Sequence, residues 1–234
     1  MVRIETVKTD SGEMKCTVFG TGARPMVIIP GLSVGNICDC AEQVASAYGA
    51  FCEDYTVYLF DRCTDIPNGY TMGDMSEAAA DGMRALGIEN ACIFGASQGG
   101  MIALYLAERH SELVRCLAVC STSALIRDDF KAVCENWKSL AAQGDSAALT
   151  AYFNSVLYSD RTLEEFGDML LSSAPQYSEA ELARFIRLAE AFDSLDIKSR
   201  LDDIKCSVLV LAAMSDRVSA SAPPRSLPVS LAAR

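Results

Sequence analysis

The stretch that decides the fold is IFGASQGGMIALYLAERH, residues 93–110. Within it, Gly95-Ala96-Ser97-Gln98-Gly99 follows the spacing G-x-S-x-G. Alone, that spacing is weak. Its setting makes it informative, because an apolar run at 91–96 leads in and a helical pattern over 98–109 leads out. Strand, tight turn and helix in that order push a serine hydroxyl above the end of a sheet. The turn strains the serine backbone, and only small neighbours let the flanking backbone close up, hence glycine on either side. The helix that follows aims its N-terminal N–H groups and positive dipole end at the same point. Ser97 is therefore the candidate nucleophile, with Gly95 and Gly99 as elbow glycines.

Working outward, the chain alternates strand and helix. Residues 2–8 and 14–19 read as two short strands around the turn DSGE. Residues 26–29 (MVII), just before Pro30-Gly31, form a wholly apolar run suited to a strand buried on both faces. A helix is expected over 39–49, a strand over 55–60 (YTVYLF), and an amphipathic helix over 73–86 that Gly87 stops. Another strand follows at 114–120. Such alternation predicts an α/β fold: a mostly parallel sheet with helices on both faces. From about 126 to 195 the pattern is helical only, with segments at 129–143, 146–157, 163–172 and 178–194. An all-helical insert of this size between strands is expected to act as a lid. Residues 206–212 (CSVLVLA) return to a buried strand. After Val218 the composition turns to Ser, Ala and Pro without periodicity, which reads as a disordered or aberrant tail. The expected organisation is a core over 1–121, a helical lid over 122–196, a return to the core over 197–218, and a tail over 219–234.

Composition narrows the partners. The chain has 234 residues, half of them hydrophobic, and a formal net charge of −11. That charge repels polyanions, so neither nucleic acid nor an anionic membrane surface is expected to bind. No apolar run reaches the roughly 18 residues of a membrane span, and the N-terminus lacks a signal-like apolar segment. A cytoplasmic location is expected. Ten cysteines occur without any C-x-x-C spacing and beside one histidine. Cys38-Asp39-Cys40 comes nearest to a ligand pair but lacks partners, so no metal site is expected. The cysteines read instead as small buried hydrophobes in a reducing compartment.

Several segments together resemble the α/β-hydrolase fold family, over most of residues 1–218. VIIPGLS (27–33) is similar to the family's third strand and oxyanion loop, with Pro30 where a histidine is usual. LFDRCTD (59–65) resembles its strand-4 motif. Residues 85–119 resemble the elbow and the strand after it, and RLDDIKCSVLVLAAMSDRV (200–218) resembles the approach to the catalytic acid. The resemblance implies Ser97 as nucleophile and Asp216 as the acid that orients the base. It implies the backbone N–H groups of Leu32 and Gln98 as oxyanion donors, each contributing about 3 kcal/mol. It implies a structural rather than catalytic Arg62, and no cofactor. The substrate it implies is a small ester, thioester, lactone or amide, cleaved through an acyl-enzyme. Tyr152, Phe153, Trp137 and Met169 in the lid suggest an apolar acyl or aromatic group.

One part of the pattern is missing. Family order is Ser, acid, His, and no histidine follows Asp216. The one histidine, His110, lies 13 residues after Ser97 along the expected helix. At 1.5 Å per residue that is roughly 20 Å away, whereas a general base must come within about 3 Å. In subtilisin, loss of the histidine costs about 10⁶ in turnover, or some 8 kcal/mol. Impaired hydrolysis is expected, on a fold whose last strand and helix are missing. The alternative is a non-catalytic protein that binds small molecules in the same pocket, and a lyase or cofactor-free haloperoxidase-like activity stays open. A chain lacking the last strand is expected to expose a sheet edge and self-associate through it.

Overall fold

The computed structural model describes residues 1–213. Asp216 and the expected tail lie outside the described residues. Among the described residues seven strands form one sheet: β1 (Arg3–Thr9), β2 (Gly12–Gly20), β3 (Arg24–Ile29), β4 (Tyr55–Phe60), β5 (Ala91–Ala96), β6 (Val114–Cys120) and β7 (Ser207–Leu211). Their spatial order is β1-β2-β4-β3-β5-β6-β7. The β1–β2 hairpin and the β2–β4 pair are antiparallel; every pairing from β4 to β7 is parallel. The predicted α/β architecture is the observed one.

This order sets the site. From β3 the chain crosses to one neighbour, β4, and then back over β3 to pair β5 on its other side. The loops that leave the carboxyl ends of β3 and β5 therefore diverge and open a crevice, where ligands bind in such sheets. Those two loops hold Pro30-Gly31-Leu32 and Ser97.

Helices α2 (Met72–Ala85) and α3 (Gln98–Arg109) lie on one face of the sheet. Thr71 starts α2 with a capping box: its hydroxyl accepts from the Asp74 N–H, and the Asp74 carboxylate accepts from the Thr71 N–H. Gly87, at φ 64°, marks its end. Every residue of α3 from Gln98 to Ala107 is buried, as an apolar helix pressed between a sheet and other helices must be. The helix expected over 39–49 is broken into pieces: a 3-10 turn at Ile37–Cys40, α1 at Ala41–Ala47, and a second 3-10 turn at Gly49–Phe51. The Asn36 side chain caps the first turn by accepting from the Cys38 N–H, and Gly49 is a poor helix former.

Between β6 and β7 come α4 (Asp128–Ala142), α5 (Ser146–Leu157), α6 (Asp160–Ser172) and α7 (Glu179–Glu190). The insert is helical as expected, but it is not a separate layer. Leu182, Phe185 and Leu188 of α7 and Phe130 and Trp137 of α4 belong to the same core cluster as Ile29, Ile93 and Ile102. Phe130 meets Trp137 and Phe192 edge-on at 5.7 and 5.1 Å between ring centres. By contrast α6 buries no residue.

The second face of the sheet is covered unevenly. Phe19, Met26, Ile28, Val57 and Leu59 pack beneath Val44 and Tyr48 of the α1 region. Toward β7 the cover thins. Phe94, Ala118 and Leu209 are successive register partners, and Leu209 is 57% and Leu211 44% exposed. Among the described residues β7 pairs only with β6.

Two outcomes follow. Phe185→Ala, which empties a fully buried site shared by the insert and the sheet, should cost about 3–5 kcal/mol. Urea unfolding should show one shifted transition, because insert and sheet share a core; a separate early transition would contradict that. We also propose that copies of the chain associate through the β7 edge. Light scattering should show concentration-dependent oligomers that Leu209→Lys reduces; a monomer at all concentrations would refute the idea.

Candidate functional site

Ser97 sits at φ 51° and ψ −122°, a backbone conformation unusual for a residue with a side chain. Hydrogen bonds to its N–H and its carbonyl hold it there. Its N–H donates to the Cys120 carbonyl at 2.9 Å, its carbonyl accepts from the Gly100 N–H at 2.9 Å, and the Thr122 hydroxyl donates to that carbonyl at 2.8 Å. The elbow is thus anchored to the end of β6 as well as to its own helix. Thr122 went unremarked in the sequence. Its signal was position, a polar residue just past the carboxyl end of a buried strand.

The glycines are sterically required. A Cβ on Gly99 would lie 1.9 Å from the Ile29 carbonyl oxygen and 2.4 Å from that of Pro30. On Gly95 it would lie 2.5 Å from the Gly99 oxygen. These gaps let the elbow press directly against the end of β3. As a result the loop after β3 runs beside the serine: a Cβ built on Gly31 would stand 3.4 Å from the Ser97 Cβ and 3.9 Å from its Oγ. The Leu32 amide follows that glycine. The Gln98 amide opens α3, where a helix leaves its N–H groups without intrahelical acceptors. Pro30-Gly31-Leu32, Ser97 and Gln98 are brought together.

Arg62 organises this loop from below. It is buried, and its Nη2 donates to the Pro30 carbonyl at 2.6 Å and to Gln98 Oε1 at 3.4 Å. Burial pulls its pKa down to about 10, partly opposed by Asp61, so it remains a cation at neutral pH. Gln98 in turn donates through Nε2 to the Leu188 carbonyl of α7 at 2.8 Å. From the same helix Arg184 donates to the Arg62 and Cys63 carbonyls at 2.9 and 3.1 Å and to Asp61 at 3.2 Å. Arg184 and the Gln98 side chain were not legible beforehand, because both act on residues far away in sequence.

His110 caps the far end of α3. Its Nε2 lies 2.8 Å from Glu77 and its Nδ1 3.0 Å from Arg84. It is engaged there and is not brought to Ser97. Among the described residues no side chain hydrogen-bonds the Ser97 hydroxyl, and no group of three His, Cys, Asp or Glu could hold a metal. No described helix is long and apolar enough to cross a membrane.

A cavity of about 470 Å³ opens between the loop after β3 and the insert. Leu32, Val34, Ile37, Leu149, Phe153 and Tyr177 give it apolar walls, with Asp39 and Glu181 also at its lining. Of the four insert residues expected to line a pocket, Phe153 does so here. Trp137 is buried against Phe153 at 4.7 Å, and Met169 is 58% exposed on α6. Tyr152 donates no wall to this cavity; its hydroxyl accepts from Asn136. Ser97 is not among that cavity's lining residues; it lines a much smaller pocket, with Met101, Ser121, Leu125 and Phe130.

The sequence profile of the alpha/beta hydrolase fold matches residues 53–220. The chain belongs to the alpha/beta hydrolase fold family. It superimposes on MGS-M2, an alpha/beta hydrolase enzyme from a Medee basin deep-sea metagenome library, with a TM-score of 0.81 and 20% identity, covering 95% of this chain and 82% of that one. Two proteins share short, closer matches. An L-serine/homoserine O-acetyltransferase of Streptomyces lavendulae is 58% identical over 43 residues, 18% of this chain and 12% of its own. A carbamate hydrolase, RutD, assigned in Serratia proteamaculans, is 41% identical over 54 residues, 23% and 20% of the two chains. The matches thus span a fifth or less of those two relatives.

The strained serine gives a stability test for this hydrolase-fold elbow. Ser97→Gly removes both the hydroxyl and the backbone penalty, while Ser97→Ala removes only the hydroxyl. The glycine variant should be about 1 kcal/mol more stable than the alanine variant by chemical denaturation. Equal stabilities would show that Ser97 is not strained.

Proposed function

We propose that Ser97 is the nucleophile of a hydrolase that opens a small ester, thioester, lactone or amide through an acyl-enzyme. The observation that carries this is the placement of the Ser97 hydroxyl, held at a strained elbow alongside the Gly31 backbone. A carbonyl carbon attacked by Ser97 would place its oxygen toward the Leu32 and Gln98 amides. Donors fixed in advance stabilise the charge that develops there without reorganising. The cavity beside Leu32 would take an apolar acyl group, and its acidic lining and the net charge of −11 disfavour anionic substrates. Named relatives that transfer an acetyl group or hydrolyse a carbamate support attack at a carbonyl. Asp216 is proposed as the acid. No metal or organic cofactor takes part in this scheme.

In this reading catalysis is slow. His110 is tied to Glu77 and Arg84, so no imidazole among the described residues is placed to take the Ser97 proton. The oxyanion donors and binding alone would leave about 10³–10⁴-fold acceleration over water. The engagement of His110 also favours the second reading, a non-catalytic protein that binds the same ligands.

A fluorophosphonate probe separates the two. Slow labelling that Ser97→Ala abolishes, and that added imidazole speeds by replacing the missing base, is the expected result. Labelling that persists in Ser97→Ala would remove Ser97 as nucleophile. No labelling, together with measurable binding of a short acyl ester, would favour the binding protein.

A further inference from the structure

None of the hydrogen bonds described at the site uses a cysteine thiol, yet two thiols meet elsewhere. Cys92 of β5 and Cys116 of β6 are direct register partners, so their side chains leave the same face of the sheet. Their sulfurs are 3.0 Å apart, with the Cys116 thiol donating to Cys92. Among the described residues no other two cysteine sulfurs hydrogen-bond, and all ten cysteines are free thiols. Adjacent strands lie about 4.8 Å apart, within the Cα separation of roughly 4.4–6.8 Å that a disulfide bridges. Closure brings the sulfurs from 3.0 Å to the roughly 2.05 Å of a disulfide.

The pair is also reachable. Both residues are half-buried, on the face where cover thins toward β7. Cationic Arg115 lies beside them, and Tyr55, stacked 4.4 Å beneath the Arg24 guanidinium, borders Cys92. The pair is separate from the crevice. Cys92 precedes Ser97 by five residues of strand and turn, roughly 16 Å at the rise of an extended chain.

We propose that Cys92 and Cys116 form a modification site, a dithiol that a hydroperoxide closes into a disulfide joining β5 to β6. One thiolate attacks the peroxide; the O–O bond breaks, the sulfur becomes a sulfenic acid, and the other oxygen leaves and takes up a proton, as water from hydrogen peroxide or as an alcohol from an organic hydroperoxide. The second thiol then attacks that sulfur, and the sulfenic hydroxyl leaves as water. Two thiols lose two electrons and two protons in total, and one hydroperoxide is reduced. Burial, and next the hydrogen bond with Cys92, push the Cys116 thiol up to about 11, with Arg115 pulling the other way. Thiolate is therefore scarce at neutral pH, and closure is slow. The pair suits a staple set by lasting oxidation rather than a rapid switch. The loop it closes, residues 92–116, contains the elbow and all of α3.

The test uses the whole chain. It is exposed to hydrogen peroxide at mildly alkaline pH, denatured, blocked with iodoacetamide and mapped by mass spectrometry without reduction. The expected product is one linked pair of peptides containing Cys92 and Cys116, two hydrogens lighter than their sum. Dithiothreitol should reverse it, and Cys116→Ser should abolish it. The oxidised protein should melt about 5–10 °C higher, since a loop of this length restrains the unfolded chain. The proposal fails if both thiols remain open to blocking, if each is oxidised singly to sulfinic acid, or if either pairs with another cysteine.

Discussion

The structure depends on backbone meeting backbone at the carboxyl ends of β3 and β5. Gly99 lies against the Ile29 and Pro30 carbonyls with no space for a methyl group. That contact does three things together. It packs α3 tightly on the sheet, bends the chain at Ser97, and brings the loop after β3 alongside the serine. Overpacking in a site walled by backbone cannot be relieved by a rotamer change, unlike most core substitutions. The strain at Ser97 is the counterpart: a conformation tolerated because the surrounding bonds to Cys120, Gly100 and Thr122 over-determine it.

Around this contact, buried polar groups connect layers that apolar packing alone would leave free to slide. Arg62 holds the Pro30 carbonyl from β4's end, Gln98 reaches the α7 backbone, and Arg184 returns from α7 to the segment after β4. Each bond to a charged guanidinium in such surroundings is stronger than a neutral one. The helical insert is consequently tied to the elbow through Gln98 and shares its core through Phe185. Any displacement of α7 would be felt at the turn that carries Ser97. This is why the insert behaves as part of the hydrolase-fold body even though its composition marks it off from the sheet.

The two faces of the sheet are in different circumstances. Among the described residues one lies beneath α2, α3 and the insert; the other has α1 over its centre and open ground toward β7. The open ground holds both the exposed leucines of β7 and the half-buried thiols of β5 and β6. Apolar side chains there are not in error by pattern, since each alternates with a residue facing the covered side, such as Leu117 and Val119. Alternation along a strand reports that two faces exist. It does not report what covers each of them.

That distinction separates what could be read from the chain and what could not. Sequence alone determined the strands, their parallel arrangement, the helical insert and the elbow, because these rest on local periodicity and on the conformations open to glycine. It also placed His110 at the far end of α3 from Ser97, since helix rise alone set the distance. Only the tertiary structure decided which polar groups pair, because Arg62 with Pro30, Gln98 with Leu188 and Cys92 with Cys116 join residues 24 to 90 positions apart. It likewise placed Phe153 on the cavity wall and Trp137 in the core. Both are aromatic residues at helical spacing, and which way such a residue faces depends on the neighbours that folding brings to it.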